Sequence, residues 1–503
     1  MELTCPEETS PLAVLCPEIL TLIIDDLRAL DHRSVFIVRL ACRILNSAAT
    51  PVAYRAIHLN RGILNPCAGR LYPRLLEHVS RFTHEVTVRS DLPSTDVRRV
   101  LSGIKRLSFV RWSYVAPDVV GSSSLRLPWD ILDAEQVERS GIRVAVENLP
   151  LGGVHCDLDE SCFRPALTRR MVSLKLSSPK PPLTTRSGSL KRLVLQSPRL
   201  RTLHYRDLGI GTSFRFGRSE RLPAVVDLVL QSYNWDHSTD EVGRHWDFSR
   251  IRSLELVNMP VANFLASVRL RDFARLHTLR VEDYGGHLQD TRPSATVQLC
   301  ELVRDHVEAL ETLDITCHTR LFELEAIGKH RHSLRVLRYR DHVGFEDDSK
   351  RCPTLGRAEL RALGHRLGHV HTLELDMDAA PDDLVEAVCS FARLHTLTLH
   401  VQTQIRACDP VEPDRDRDRE AALDVFGRLI GRRAWRRVMI NVGGWRRAMV
   451  RRMGYEWKRH NEQGVYAERC FWLERDQKGY SVGEEAALGG GPMPAIAGSM
   501  LGL

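Results

Sequence analysis

His365, His369 and His371 form the densest group of candidate metal ligands in the chain. The first two are one helical turn apart, but a zinc site needs a third or fourth converging ligand. His371 opens a predicted strand and points elsewhere, so the group reads as solvated histidines at a helix end. Cys156 and Cys162, with His155 and Asp157 beside the first, make no Cys-x-x-Cys clamp and read as a loop with partly buried thiols. No stretch matches the phosphate-cradling, dinucleotide, zinc-protease or nucleophile-elbow patterns. No catalytic residue, metal or cofactor is expected.

The C-terminal segment carries a different chemistry. Arg428, Arg432, Arg433, Arg436, Arg437, Arg446, Arg447, Arg451, Arg452, Lys458 and Arg459 interleave with Trp435, Trp445, Tyr455 and Trp457, and Glu456 is the one acid between Arg428 and Arg459. Guanidinium and indole groups at this density can neutralise phosphates and stack on bases. They can also close a repeat array: Val438, Ile440 and Val442 alternate as a strand, and tryptophans would cover the open end of the core. The cap is the main reading and nucleic-acid binding an alternative.

An array is indeed present. An apolar phrase recurs around Leu174, Leu203, Leu228, Leu254, Leu279, Leu313, Leu337, Leu373 and Leu397, at separations of 29, 25, 26, 25, 34, 24, 36 and 24 residues. Each phrase alternates like a strand, and helical stretches lie between, such as 297–309, 359–367 and 382–391. The segment 189–198 reads as helix. Earlier strands are expected at 84–89 and 104–110. The leucines are core. Function would sit on the side chains that alternate outward: Lys175, His204, Arg206, Glu255, Arg280, Glu282, Asp314, Thr316, Arg338, Arg340, Glu374, Asp376 and His400. Their mixed charge suits a protein ligand better than a polyanion.

Ahead of the array, residues 15–59 read as three short helices. Pro17 suits a first helical turn, and the first helix runs to about Leu27 with Ile19, Ile23 and Leu27 on one stripe, widened by Leu20 and Ile24. Asp31 can cap a second helix through Val38, and a third ends at Thr50-Pro51. So few residues bury too little apolar area to stand alone, so part of this surface should meet a partner or the next domain.

This stretch resembles the F-box motif. The matching elements are Leu15, Cys16, Pro17, Glu18 and Ile19; then Ile23, Ile24 and Leu27; then Leu40, Ala41, Cys42 and Arg43. The family's proline is displaced by one position, with Cys16 in its place, and Leu45 falls about where the family has an aromatic residue. The repeats likewise resemble the irregular leucine-rich repeats found behind an F-box. The resemblance implies the substrate receptor of a Skp–cullin–F-box (SCF) ubiquitin ligase: Leu15, Pro17, Glu18, Ile19, Ile23 and Leu27 would contribute to the face for a Skp-type adaptor, which links to a cullin. The repeats would hold a protein substrate. A repeat scaffold without a ubiquitin link is the other alternative.

Bulk properties fit that picture. The 503 residues exceed what one compact core organises, and 43% hydrophobic with 27% charged residues is a globular composition. No apolar run reaches the roughly 20 residues that span a bilayer. The first residues carry acids where a secretory signal would carry Lys or Arg, and the twelve cysteines include no Cys-x-x-Cys pair, so a cytoplasmic or nuclear location is expected. The expected organisation is an α/β chain: an F-box-like helical unit at 10–58, a leucine-rich-repeat solenoid at 59–407, a charged loop at 408–420, a capping unit at 421–475 and a disordered tail at 476–503.

Overall fold

The computed structural model describes residues 15–65, 67, 72–115, 131–132, 134–150, 165–177, 187–207, 212–282, 291–342, 355–377, 381–401, 417–442, 469–476 and 479–486. The chain divides into two compact units, Met1–Ile210 with Phe214–Pro223, and Gly211–Ser213 with Ala224–Leu503.

The first unit opens with three helices. Pro17 starts α1 (Pro17–Leu30), where no N–H is needed. Asp31 then caps α2 (His32–Ala41): its carboxylate accepts the Arg33 N–H at 2.9 Å and the Ser34 hydroxyl. Helix α3 (Arg43–Tyr54) runs through Pro51 instead of ending at Thr50-Pro51. The reason is packing. Val52 and Ala53 are buried beyond the proline, and their burial with Ile24 and Val35 outweighs the lost backbone bond. Thr50 donates its hydroxyl to the Asn46 carbonyl at 2.7 Å within the same turn.

Behind the helices stand β1 (Ala56–His58), β2 (Glu85–Arg89), β3 (Phe109–Ser113), β4 (Arg143–Pro150), β5 (Met171–Ser177) and β6 (Thr202–Arg206), each parallel to the next. Parallel neighbours need crossovers, and short helices supply them. The strand expected at 104–110 starts only at Phe109, because the N–H groups of Gly103 and Ile104 still bond back to Val100 and Leu101 at the end of the helix Ser94–Ser102. Ser187–Leu195 is helical, as its sequence predicts.

The second unit repeats the plan with β7 (Asp227–Gln231), β8 (Ser253–Val257), β9 (Thr278–Glu282), β10 (Thr312–Cys317), β11 (Val336–Asp341), β12 (Thr372–Met377), β13 (Thr396–Val401) and β14 (Arg437–Val442), all parallel in sequence order. The register aligns the repeat leucines in one row: Leu228, Leu254, Leu279, Leu313, Leu337, Leu373, Leu397, then Val438. All are fully buried. Stacked units thus share one core, the arrangement of a leucine-rich-repeat-like α/β ladder. At the ends of β7 and β8, Ser232 and Asn258 turn the chain with positive φ, and the Asn258 amide donates to the Ser232 hydroxyl at 3.0 Å.

Two antiparallel strands, β15 (Arg469–Asp476) and β16 (Gly479–Ala486), follow β14. Asp476 and residues 479–486 fall in the stretch expected to be a disordered tail, and the structure corrects this by placing them in strands. Gly483 has no side chain, so the Trp472 ring lies over it; a Cβ there would strike the indole. Tyr480 accepts the Trp435 N–H with its hydroxyl at 2.8 Å. Pairing and aromatic cover compensate for a glycine-rich sequence with weak strand propensity. The rest of the tail, and most of the charged loop, lie outside the described residues. The part of that loop at 417–420 begins the helix Arg417–Ile430.

A close helix contact gives a first prediction. Gly364, in the helix Arg357–Arg366, faces the next helical layer, and a Cβ there would land on Ser390 Oγ and 2.9 Å from Phe391 Cδ2. Alanine favours helix by about 1 kcal/mol, but overpacking costs about 1–3 kcal/mol. Gly364→Ala is expected to lower the urea midpoint of the second unit rather than raise it.

Candidate functional site

The inner faces of α1–α3 close a small core of Ile24, Val35, Ala49, Val52 and Ala53, with Leu27, Val38, Ala48 and Tyr54 packed against it. Turning Leu20 and Ile24 inward leaves the adjacent stripe outward, so Ile19 is 44% and Ile23 46% exposed. Pro17 and Glu18 are exposed, Leu15 is half-buried, and Leu27 serves the core. Among the described residues twelve large apolar side chains are exposed. Eight of them sit on these three helices: Ile19, Leu22, Ile23, Leu30, Phe36, Ile37, Leu40 and Ile44. Isolated exposed apolar residues are ordinary, but a cluster of this kind is not.

In the second unit the outward side chains of the strands make a ladder of alternating charge. Glu255, Arg280, Asp314, Arg338 and Glu374 occupy one register row across β8–β12. Arg280 lies 3.6 Å from Glu255, 3.5 Å from Asp314, and against Glu282. Arg338 lies 3.0 Å from Asp314 and 3.1 Å from Glu374. In the next row Arg340 meets Asp376 at 3.1 Å. His400 and Glu374 meet at 2.6 Å through Nε2 and Oε1.

Asp314, Thr316, Arg340, Asp376 and His400 are buried, although the sequence pattern makes them outward-facing. Strands about 4.8 Å apart let long charged neighbours cover one another. Burial works against the Glu374 carboxylate, but the His400 hydrogen bond and the charges of His400, Arg340 and Arg338 bring its pKa down to about 2. Burial and Arg340 hold His400 below the usual imidazole range. The arginines of the face are therefore paired within it. Sequence reasoning saw mixed charge there and missed the pairing.

The row just before the strands is different. Arg252, His277, Glu311, Arg335, His371, His395 and Arg436 precede β8–β14, and each neighbouring pair is joined by backbone hydrogen bonds of 2.8–3.1 Å. The His371 and His395 rings stack with centroids 5.2 Å apart. Sequence reasoning missed this row as well. Its signal is the phrase basic-apolar-basic-Thr/Ser-Leu, seen in 250–254, 275–279 and 393–397.

At the C-terminal end Trp435 is fully buried, its indole N–H donating to the Leu429 carbonyl at 2.9 Å. Arg433 donates to the carbonyls of Phe391, of Leu394 at 2.9 Å and of Cys389 at 3.2 Å, closing the preceding turn. Trp435 therefore offers no ring for stacking a base. Arg446, Arg447, Arg451, Arg452, Lys458, Arg459, Trp445, Tyr455 and Trp457 lie outside the described residues, as do His155, Cys156, Asp157 and Cys162. His365 is exposed, and His369 lies 3.3 Å from Arg393. Among the described residues no three His, Cys, Asp or Glu side chains are placed to hold a metal, and no helix is long and apolar enough to cross a membrane. Burial pushes the Cys317 thiol well up and raises that of Cys300, which makes both poor nucleophiles.

No family model and no curated protein matches the chain. Among solved structures it is similar to "Crystal structure of TLR13-ssRNA13 complex" at 11% identity, covering 70% of this chain and 54% of that one, with a TM-score of 0.24. The chain spans about half the length of that structure, and a score of this size carries no weight for function.

Proposed function

We propose that this protein is a non-catalytic scaffold that captures a protein cargo on its repeats and docks by α1–α3 onto a second protein, which the F-box resemblance names as a Skp-type adaptor. In that reading it is the substrate receptor of an SCF ubiquitin ligase, working in the cytoplasm or nucleus. Catalysis is proximity supplied in trans, since a tethered cargo meets the ubiquitin-loaded enzyme at raised local concentration.

The observation that carries the docking half is the crowding of exposed apolar side chains on α1–α3 over a core that is already closed. The outer residues are not needed to hold the helices together and so remain for a partner. The test is co-purification of the full chain with the adaptor and cullin. Ile19→Asp with Ile23→Asp is expected to cut adaptor capture at least about tenfold while leaving the helical signal unchanged, because interface anchors of this kind concentrate the binding energy. Undiminished capture by the variant, or no capture by the parent, removes the ligase reading and leaves a repeat scaffold without a ubiquitin link.

A further inference from the structure

We propose that the strand-entry edge of the second unit docks an extended acidic segment of a protein partner. This deepens the scaffold reading, on which it rests, by naming the chemistry of the cargo. It does not depend on the adaptor, because peptide binding and adaptor capture are separate measurements.

The argument begins with which arginines are already satisfied. On the strand face Arg280, Arg338 and Arg340 each hold carboxylates. Around the helices Arg304, Arg357, Arg361 and Arg366 do the same. At the edge, Arg250, Arg252, Arg275, Arg335, Arg432 and Arg436 are exposed and none has an ion pair among the described residues. The turns entering β8–β14 carry three acids, Asp247, Glu308 and Glu311; Asp247 accepts the N–H and hydroxyl of Ser249, and Glu311 already faces His277 at 3.7 Å. The negative ends of the intervening helices draw cations and account for residues such as Arg304 and Arg366 in the last helical turns. Arg252, Arg335 and Arg436 lie beyond those turns, directly ahead of the strands. Among the described residues their charge has no ion-pair partner.

Geometry and the burial of the larger aromatic rings select the occupant. Six strand steps from Arg252 to Arg436 span roughly 29 Å, the reach of about nine residues of extended peptide. Binding of single-stranded nucleic acid draws on aromatic platforms, and the Trp and Phe side chains of these turns, Trp246, Phe248, Phe273, Phe391 and Trp435, are all buried; the rings that reach the edge are imidazoles, with His371 and His395 stacked on each other. What remains is recognition of a line of negative charge by guanidinium groups, the geometry suited to carboxylates.

The experiment uses the full chain and a fluorescein-labelled twelve-residue oligoglutamate, read by fluorescence anisotropy at low salt, beside a labelled twelve-nucleotide oligothymidylate. The peptide is expected to bind more tightly than the oligonucleotide. Arg335→Glu with Arg436→Glu is expected to weaken peptide binding about tenfold or more. Arg206→Glu with Arg320→Glu, an equal change of charge at exposed positions at or beyond the far ends of β6 and β10, should alter it less than about twofold. If the charge reversals disturb the circular dichroism spectrum, Arg335→Gln with Arg436→Gln replaces them with the same expected direction. No peptide binding, equal weakening by both pairs, or tighter binding of the oligonucleotide through the same arginines would overturn the proposal.

Discussion

Asp376→Ala is expected to destabilise the second unit by about 3 kcal/mol, close to a hundredfold in its folding equilibrium. Asp376 is almost wholly buried on β12. One carboxylate oxygen accepts from Arg340 at Nη2 (3.1 Å) and Nε (3.3 Å), and the other accepts the Asp341 N–H at 2.7 Å. Alanine leaves the Arg340 guanidinium without this carboxylate and a buried N–H without its acceptor. The pair is not stabilising in proportion, because both ions are desolvated to form it. Arg340→Met with Asp376→Leu should therefore recover most of the loss. Hydrogen exchange of the β11 and β12 amides against urea measures both. A single-variant loss below about 1 kcal/mol would mean that solvent already screens the pair.

The ladder shows what was legible in the sequence. Each repeat leucine marks the core row, and the position after it marks the outward row: Glu255, Arg280, Asp314, Arg338 and Glu374 each follow a leucine. Aligning the leucines is enough to place opposite charges side by side, although the separations between repeats vary. Two positions before the same leucines lie Arg252, His277, Glu311, Arg335, His371 and His395, so the edge row is legible by the same step. Burial was not. That Arg340 and His400 are covered depends on neighbours one strand away, which periodicity within a strand does not encode. Nor does periodicity say whether Ile19 and Ile23 or Leu20 and Ile24 face the core of α1–α3, since the two stripes are one residue, about 100°, apart. The continuation of α3 through Pro51 and the pairing of β16 were hidden for a related reason: local propensity opposed both, and tertiary packing decided them.

The same ladder makes the stability of the second unit depend on pH through Asp314. Burial, and then the nearby Glu282 charge, push the Asp314 carboxyl up to about 6 against the pull of Arg338 and Arg280, with Glu374 adding to the rise. Its unfolded value is 3.8. Between those two values the folded state holds more protons than the unfolded state, so stability falls as pH rises from about 4 to about 6 and stays lower above that. The cost reaches up to about 3 kcal/mol at neutral pH. Glu374 acts in the opposite sense: its depressed value adds stability that is present above 4.5 and lost as pH falls toward 2. Asp314→Asn removes the first effect and leaves the second. Compared with the parent protein, the variant should therefore gain up to about 3 kcal/mol on going from pH 4 to pH 8. Urea titrations of both proteins across that range test this directly. A difference that stays flat from pH 4 to pH 8 would place Asp314 among ordinary ionised carboxylates and make the two arginines, rather than burial, the dominant influence on it.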